Sequence, residues 1–312
     1  LENFYGIEID DFAAEIARLS LWLAKHQMNI EFEEKFGVTT SIIPLVDSGH
    51  IVCENAARID WEIVCPKEKD DEVYLIGNPP YQGARRQDES QKEDFLIALP
   101  KIDVSKNLDY ISLWFLKGAE YIQYSKSELT FVSTNSIVQG EQVGLLWPHI
   151  FELGLEISFA HTSFKWTNNA KGNAGVTCVV IGLRSETSQK KYLFTNKLKT
   201  EVSHINPYLV EAEKNIIVST RRSPISSLPM MNFGSMPNDR GNFIFSSSQY
   251  QEIVNKYPES KILFKKFLGA REFINGGLRY ALWLDSKSVL LAYKILILKK
   301  RIDEVKSLRE DS

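Results

Sequence analysis

The sequence has little of what would indicate a metal centre, a disulfide framework or a membrane protein. Its three cysteines, Cys53, Cys65 and Cys178, lie far apart without a C-x-x-C pair, and its five histidines are scattered. We therefore expect no metal site, no disulfides and a reducing, cytoplasmic setting. The longest apolar runs, such as 176–183, are far shorter than the ~20 residues of a membrane helix. The amino terminus shows no signal-peptide pattern.

Positively charged residues are not in excess either. The 312 residues include 37 lysines and arginines against 40 aspartates and glutamates, which gives a formal net charge of −3. Nucleic acid binding would therefore depend on local basic patches, because no overall positive field attracts phosphates. The length suggests two domains rather than one core. Since the chain enters a strand-like run directly after Leu1, we interpret it as part of a larger protein.

The most informative segment is Asn78-Pro79-Pro80-Tyr81, which follows the apolar run 73–77. We interpret that run as a buried strand, and two consecutive prolines cannot continue a sheet because neither has an N–H. The chain should leave the sheet at Asn78 as a stiff turn. The amide offers a donor and an acceptor, and the tyrosine ring offers a flat apolar face. Together they suit a planar heterocycle with an exocyclic amine. The alternative is a proline-rich exit loop with a surface tyrosine.

Strand-like runs alternate with helical periodicity through the first 185 residues. This alternation predicts an α/β fold, with a Rossmann-like, mostly parallel sheet and helices on both faces. One predicted helix has an apolar stripe between residues 12 and 23, capped by Asp10 or Asp11, and another spans the apolar positions of 110–121. Ligands of such sheets bind beyond the carboxyl ends of the strands. We expect a shared site at the polar residues that end four predicted strands: Glu8, Asn55, Asn78 and Asn135.

The pattern changes after about residue 185. A polar linker is followed by short strand-like runs and many turn residues, which predict a smaller, mixed α+β region. Residues 286–310 read as one helix, apolar early and charged late, and suited to packing rather than to reading a DNA groove. The predicted domains are therefore 1–185, 186–285 and a terminal helical segment, 286–312.

Several motifs, in order, resemble a known family. The segment 3–10 (NFYGIEID), then Asn55, then 78–81 resemble the motif set of Class I, S-adenosylmethionine-dependent, N6-adenine DNA methyltransferases. The sequences FVSTNSI at 131–137, FKWTNNAKG at 164–172, PNDRGN at 237–242 and GAREFINGG at 269–277 resemble the methyltransferase and target-recognition parts of MmeI-like restriction–modification proteins. The family's glycine-rich cofactor loop and its nuclease would precede Leu1, so we assign no nuclease activity to these residues.

The resemblance implies S-adenosylmethionine as the cofactor, bound by Glu8, Ile9, Asn55 and Ala56, with Glu8 accepting hydrogen bonds from the ribose hydroxyls. A carboxylate at a strand tip can take two hydroxyl donors in this way. The resemblance also implies that the catalytic residues are Asn78, Pro79, Pro80 and Tyr81.

The substrate implied is double-stranded DNA with an adenine flipped out of the helix. Tyr81 would stack on one face of that base, and Phe164 would cover the other face or an edge, with Trp166 as the competing candidate. Phosphates and base edges would be contacted by basic residues, of which four are selected: Lys165, Lys171, Arg240 and Arg271.

The function expected is site-specific methylation of adenine N6 in a restriction–modification or phage-defence system, by a larger polypeptide of which this chain is a part. Two other functions stay open at this point. The first is methylation of RNA adenine or of a protein glutamine, because both use the same tetrapeptide. The second is a DNA-specificity module with an inactive catalytic half.

Overall fold

The computed structural model describes residues 1–38, 49–100, 107–166, 176–196, 198–221, 223–230, 232, 234 and 237–310. The chain forms two compact units, Leu1–Arg222 and Ser223–Ser312. The domain boundaries predicted at residues 185 and 285 stay predictions. Across the described ranges, no helix combines the length and the apolar composition that crossing a membrane requires.

The first unit alternates strands and helices, as the periodicity predicted. Its strands and helices are, in chain order, β1 (Tyr5–Glu8), α1 (Asp11–Phe36), β2 (His50–Cys53), α2 (Trp61–Val64), β3 (Tyr74–Gly77), α3 (Glu89–Ala98), α4 (Ser112–Ile122), β4 (Glu128–Thr134), α5 (Gly140–Glu152), β5 (Leu155–Lys165), β6 (Thr177–Ser185), β7 (Lys191–Thr195) and β8 (Leu198–Val202). Short 3₁₀ turns occupy Ala84–Arg86 and Asn135–Val138.

These strands form a two-stranded parallel sheet, β1–β2, and a six-stranded sheet in the order β3-β4-β6-β5-β7-β8. The α/β class is confirmed, but the larger sheet is mixed rather than mostly parallel. β3–β4 and β5–β7 are parallel pairs, whereas β6 pairs antiparallel with both β4 and β5. The reason is that β5 and β6 are consecutive arms of a hairpin, and the second arm inserts between the first and β4.

Helix α4 forms the centre of the core, as the spacing of residues 110–121 predicted. Leu113, Phe115 and Ile122 have no exposed surface, and the Phe115 ring meets Phe131 of β4 edge-on at 5.4 Å between centroids. A Cβ on Gly118 would lie only 2.1 Å from a Leu129 methyl group, so glycine allows the helix to lie directly on the sheet. Close packing of this kind rigidifies the platform from which the strand-end loops extend.

One prediction of burial was wrong, and a second apolar surface is exposed. The run 73–77 does not form a buried strand: Tyr74 is 65% exposed and Ile76 is 78% exposed. β3 has β4 as its only partner in the described sheets, so one of its edges is open and one face is uncovered. The apolar stripe of α1 is also exposed, reaching 71% at Phe12, and Ala14 is the only buried residue of that helix.

The second unit has its own sheet and core. It contains β9 (Ile244–Ser246), α6 (Ser247–Lys256), a 3₁₀ segment (Pro258–Leu263), β10 (Phe264–Phe267), α7 (Ala270–Asn275), β11 (Arg279–Leu282), α8 (Val289–Lys294) and α9 (Leu296–Glu310). The three strands pair antiparallel in the order β10-β11-β9. This is the mixed α+β architecture that the turn-rich sequence predicted.

The single helix predicted for 286–310 was wrong in one respect. Ile295 leaves the helical region, at φ −101° and ψ 107°, and separates α8 from α9. Ile295 is 2% exposed, so the break places an apolar side chain in the core of the unit. The packing role of this segment is confirmed, because Leu298, Ile302 and Val305 of α9 are buried.

Candidate functional site

The first group of predicted site residues lies at the carboxyl end of the β1–β2 pair. The two strands run parallel, and the Glu54 N–H donates to the Glu8 carbonyl at 2.8 Å. Asp10 caps α1 by accepting a hydrogen bond from the Ala13 N–H at 2.9 Å, so Glu8 is not needed as a cap. The Glu8 carboxylate is exposed and has no partner in the part of the chain that the structure describes. Ile9 beside it is 73% exposed.

The turn after β2, residues 55–59, lies next to Glu8. Asn55 accepts a hydrogen bond at its side-chain oxygen from the Ala57 N–H at 2.9 Å, and its side-chain nitrogen lies 3.5 Å from Asp94 of α3. The Asn55 side-chain oxygen therefore closes its own turn, and the assignment of Asn55 to the cofactor stays a prediction. The Ala56 carbonyl is also engaged, by side chains beneath the turn. A ligand would therefore contact the outward-facing backbone of this turn rather than these two groups.

The tetrapeptide 78–81 leaves the carboxyl end of β3 as a turn, as its prolines predicted. A Cβ on Gly77 would lie 3.2 Å from the Phe131 ring, so a side chain there would crowd the adjacent strand. Pro79 is buried and anchors the turn, whereas Asn78 and Pro80 are exposed. Among the described residues the Asn78 amide has no hydrogen-bond partner. Its donor and its acceptor are both free for a ligand.

Tyr81 lies against the sheet with one face partly open. It packs against the edge of the core, and its hydroxyl lies near the thiol of Cys178 on β6. Burial, with a smaller contribution from this thiol, raises the pKa of Tyr81, so the phenol stays neutral. Cys178 is in register with Thr134 on one side and with Phe164 on the other. This thiol therefore connects Tyr81 with the strand that carries Phe164.

A polar network that the sequence did not indicate fixes the segment after Tyr81. The Gln82 carbonyl accepts a hydrogen bond from the Tyr110 N–H at 2.9 Å. Next to Tyr110, Asp109 accepts at its carboxylate from the Ser136 hydroxyl, just after β4, and donates its N–H to the Gln142 side chain at 3.0 Å. These bonds join the loops after β3 and β4. Their only sequence signal is a cluster of polar residues at strand and helix ends.

The β5–β6 hairpin presents the predicted base-contacting rings. Phe164 is 36% exposed, and its ring centroid lies 6.4 Å from that of Trp166. Lys165 between them is exposed, whereas Lys171 lies outside the described residues. A cleft of about 470 Å³ opens beside this hairpin and the 3₁₀ turn after β4. Its lining consists of Val138, Gln139, Thr162, Ser163, Thr195, Asn196, Tyr208, Leu209 and Val210.

In the second unit, the two selected arginines lie on separate elements, a turn and a short helix, and hydrogen bonds stabilise each element. Arg240 is exposed in a left-handed conformation, φ 49°, and buried Asp239 before it accepts hydrogen bonds from two backbone N–H groups of the same turn. Arg271 is exposed on α7. This short helix is held by buried Glu272, which pairs with Arg279 of β11 at 2.7 and 2.9 Å. The Arg279 guanidinium lowers the pKa of Glu272 to about 2.

Helix α4 connects the two groups of site residues in the first unit. Lys117 hydrogen-bonds the turn 55–59, while Gly118, the next residue, lies against the sheet at Leu129 and Leu75. The turn after β2, beside Glu8, is thus supported from one position of this helix. The strands that lead to the turn 78–81 are contacted from the next position.

Comparisons with known proteins identify the family of the two parts of the chain. Residues 1–195 match the family model "MmeI, DNA-methyltransferase domain", and residues 212–312 match "MmeI, target recognition domain". "DNA methyltransferase A" of Bacillus subtilis (strain 168) is 48% identical over 314 residues, which cover 100% of this chain and 36% of that protein. The structure of the type IIL restriction–modification enzyme MmeI in complex with DNA matches with a TM-score of 0.89 and 39% identity, over 99% of this chain and 42% of that one.

Proposed function

Because the chain belongs to the MmeI family of DNA methyltransferases, with a methyltransferase domain followed by a target recognition domain, we propose that it methylates adenine N6 in double-stranded DNA with S-adenosylmethionine as the methyl donor. The chain spans well under half the length of the relatives it matches. The proposal therefore concerns the complete polypeptide, acting in a restriction–modification or phage-defence system. The observation that carries it is the exposed, unpartnered Asn78 amide on a buried Pro79 at the end of β3.

The N6 amine of adenine is a poor nucleophile because its lone pair is delocalised into the ring. The side-chain oxygen of Asn78 and the carbonyl of Pro79 are suited to accept the two N6 hydrogens. Hydrogen bonds in that arrangement favour a lone pair directed out of the ring plane. The two residues act by fixing the dipoles of their C=O groups against the amine and by orienting the base. No covalent enzyme intermediate is needed. Buried Pro79 keeps both acceptors in place before the base arrives.

The methyl donor supplies an electrophilic sulfonium methyl group when bound. The residues at the end of β1 and β2 suit its other end. The exposed Glu8 carboxylate has free acceptors for two ribose hydroxyls, and exposed Ile9 offers apolar surface to a base. Asn55 and Ala56 contribute the shape of the turn, which the Asn55 side-chain oxygen closes by accepting the Ala57 N–H.

Tyr81 and Phe164 are suited to hold a base that has left the DNA stack. Extrusion costs a few kcal/mol, and stacking on an aromatic ring returns about 1–3 kcal/mol per base. The Tyr81 ring packs against the edge of the core, which restricts its motion before a base binds. Trp166 packs near Phe164 and is assigned a supporting role.

Basic side chains on both units are proposed to contact DNA phosphates. Lys165 is exposed next to Phe164, and Arg240 and Arg271 are exposed on braced turns of the second unit. Lys171, outside the described residues, belongs to the same hairpin segment as Lys165 in the sequence. The match to a target recognition domain favours DNA over the RNA and protein-glutamine alternatives.

The test is methylation of duplex DNA by the complete polypeptide, with mapping of the modified base. We expect N6-methyladenine at a defined sequence, and Asn78→Ala to reduce transfer by about 10²–10³-fold with DNA affinity largely unchanged. Asn3→Ala, an exposed asparagine before the amino end of β1, is the matched control and should retain activity. Methylation of cytosine, or normal turnover by Asn78→Ala, would contradict the proposal. DNA binding without any transfer would favour a specificity module with an inactive catalytic half.

A further inference from the structure

A half-buried lysine of α4 holds the turn 55–59 from below. The Lys117 ammonium group donates to the carbonyls of Ala56 at 2.9 Å, Ala57 at 2.9 Å and Ile59 at 2.5 Å. The indole N–H of Trp61 donates to the Ala56 carbonyl as well, at 2.9 Å, and the ammonium lies 5.4 Å from the Trp61 ring centroid. All three N–H groups of a protonated lysine are therefore used on one five-residue turn.

A buried carboxylate on α3 holds the same turn from another side. Asp94, whose side chain is 3% exposed, accepts a hydrogen bond from Arg58 at 2.6 Å and lies 3.5 Å from the Asn55 amide. Its second oxygen accepts from the Tyr110 hydroxyl. A positive group and a negative group, from two different helices, thus fix both halves of the turn.

The turn itself is closed before any ligand binds. The Asn55 carbonyl accepts the N–H groups of Arg58 and Ile59, at 2.9 and 3.0 Å, and the Asn55 side chain accepts that of Ala57. The carbonyls of residues 55, 56, 57 and 59 are all engaged inside the protein. Burying two charged groups beneath a loop is costly unless each is hydrogen-bonded. Apolar packing alone would hold the loop in place without fixing the direction of each carbonyl.

A loop ordered in advance saves the entropy that its ligand would otherwise have to overcome. We infer, resting on the function proposed above, that Lys117 and Asp94 are positioning residues: they preform the turn 55–59 to receive the adenine end of S-adenosylmethionine. Neither touches the reacting atoms. Their effect falls on cofactor affinity rather than on the methyl-transfer step.

The chemistry of the lysine agrees with this role. Burial lowers the pKa of Lys117 to about 8, against the opposing charges of Asp60, Asp94 and Glu120. The protonated side chain provides three donors for the three carbonyls, whereas the neutral amine provides two. Cofactor affinity should therefore weaken as the pH rises through about 8.

The test compares Lys117→Met with wild type in the complete polypeptide. Cofactor affinity is measured with S-adenosylmethionine by calorimetry, DNA affinity by fluorescence anisotropy, and turnover at saturating cofactor. We expect the Kd for S-adenosylmethionine to rise roughly tenfold or more, as the loss of a charged hydrogen bond would give, with kcat and DNA affinity nearly unchanged. Lys126→Met, which removes an exposed ion pair with Asp70, is the control and should bind normally.

Two milder variants guard against a fold defect. Lys117→Arg restores a charged donor and should recover part of the affinity. Trp61→Phe removes the N–H donor to Ala56 together with part of the indole, keeps an aromatic ring at that position, and should weaken cofactor binding. Unchanged cofactor affinity in Lys117→Met, or in Trp61→Phe if Lys117→Met does not fold, would overturn the inference. Failure of the wild-type protein to bind S-adenosylmethionine would instead refute the proposed function.

Discussion

The buried charge cluster on β5, β6 and β7 gives a stability prediction whose size follows from its contacts. Glu156 of β5 pairs with Arg184 of β6 at 2.9 Å and with Lys191 of β7 at 3.0 Å, and all three side chains are at most 10% exposed. Replacing Glu156 by glutamine keeps the shape but leaves two cations without their shared counter-charge. Breaking a buried pair in this way costs about 3–5 kcal/mol.

The lower end of that range applies here. Arg184 keeps three other acceptors, the Gln189 side chain and the carbonyls of Gln189 and Lys190, at 3.0–3.2 Å. Lys191 has no second acceptor among the described residues, so most of the cost falls on it. We therefore expect Glu156→Gln to lower the local unfolding free energy by about 3 kcal/mol, which corresponds to roughly 100-fold faster amide exchange.

Hydrogen exchange measured by mass spectrometry on the complete polypeptide can resolve this effect strand by strand. Peptides from β5, β6 and β7 should exchange faster, whereas those from β9–β11 should not change. Glu186→Gln, an exposed neighbour of the cluster without an ion pair in the described part of the chain, should stay within about 0.5 kcal/mol of wild type. If amide exchange in Glu156→Gln is as slow as in this control, the reasoning is refuted. That result would mean that removing the negative charge of Glu156 does not destabilise the strands that carry Arg184 and Lys191.

Two further predictions concern the rings and the recognition unit. Tyr81→Ala should weaken capture of an extruded base by about 1–3 kcal/mol, read as a smaller 2-aminopurine fluorescence increase at the target position. Tyr81→Phe, which loses only the hydroxyl near Cys178, should retain most of that signal, and an unchanged signal in Tyr81→Ala would exclude stacking. Glu272→Gln should speed exchange across α7 and weaken DNA binding, with Glu259→Gln as an exposed control. The folded-state pKa of Glu272 is lowered from 4.5 to about 2, so its contribution is present above pH 4.5 and is lost as the pH falls towards 2. The difference in α7 amide exchange between Glu272→Gln and wild type should therefore narrow as the pH falls from 4.5 towards 2. A difference that stays constant with pH would contradict the stabilising role given to the Glu272 carboxylate.

Local chemistry made part of this structure predictable. The two prolines of 78–81 cannot remain in a sheet, so the turn at Asn78 followed from residue type alone. The helix around 110–121 was predictable because apolar residues at three- and four-residue steps indicate a helix with one buried face. The cap at Asp10 followed from side-chain geometry at a helix start.

The rest depended on contacts between distant residues. β3 is exposed because of where it lies in the sheet, which its own composition does not encode. Lys117 looks like any helical lysine until the carbonyls of a turn about 60 residues earlier are placed around it. The sequence also did not show that the Asn55 side-chain oxygen accepts a hydrogen bond from a backbone N–H two residues away. The break at Ile295 likewise reflects the space available in the core rather than a helix-breaking residue.

Helix α4 supports the turn after β2 with Lys117 and lies on β3 and β4 with Gly118, the next residue. A single helical turn cannot flex between adjacent positions without losing its own backbone bonds. In the proposed function, the first turn receives the methyl donor and the second holds the base. A shift of α4 would therefore be expected to move both together.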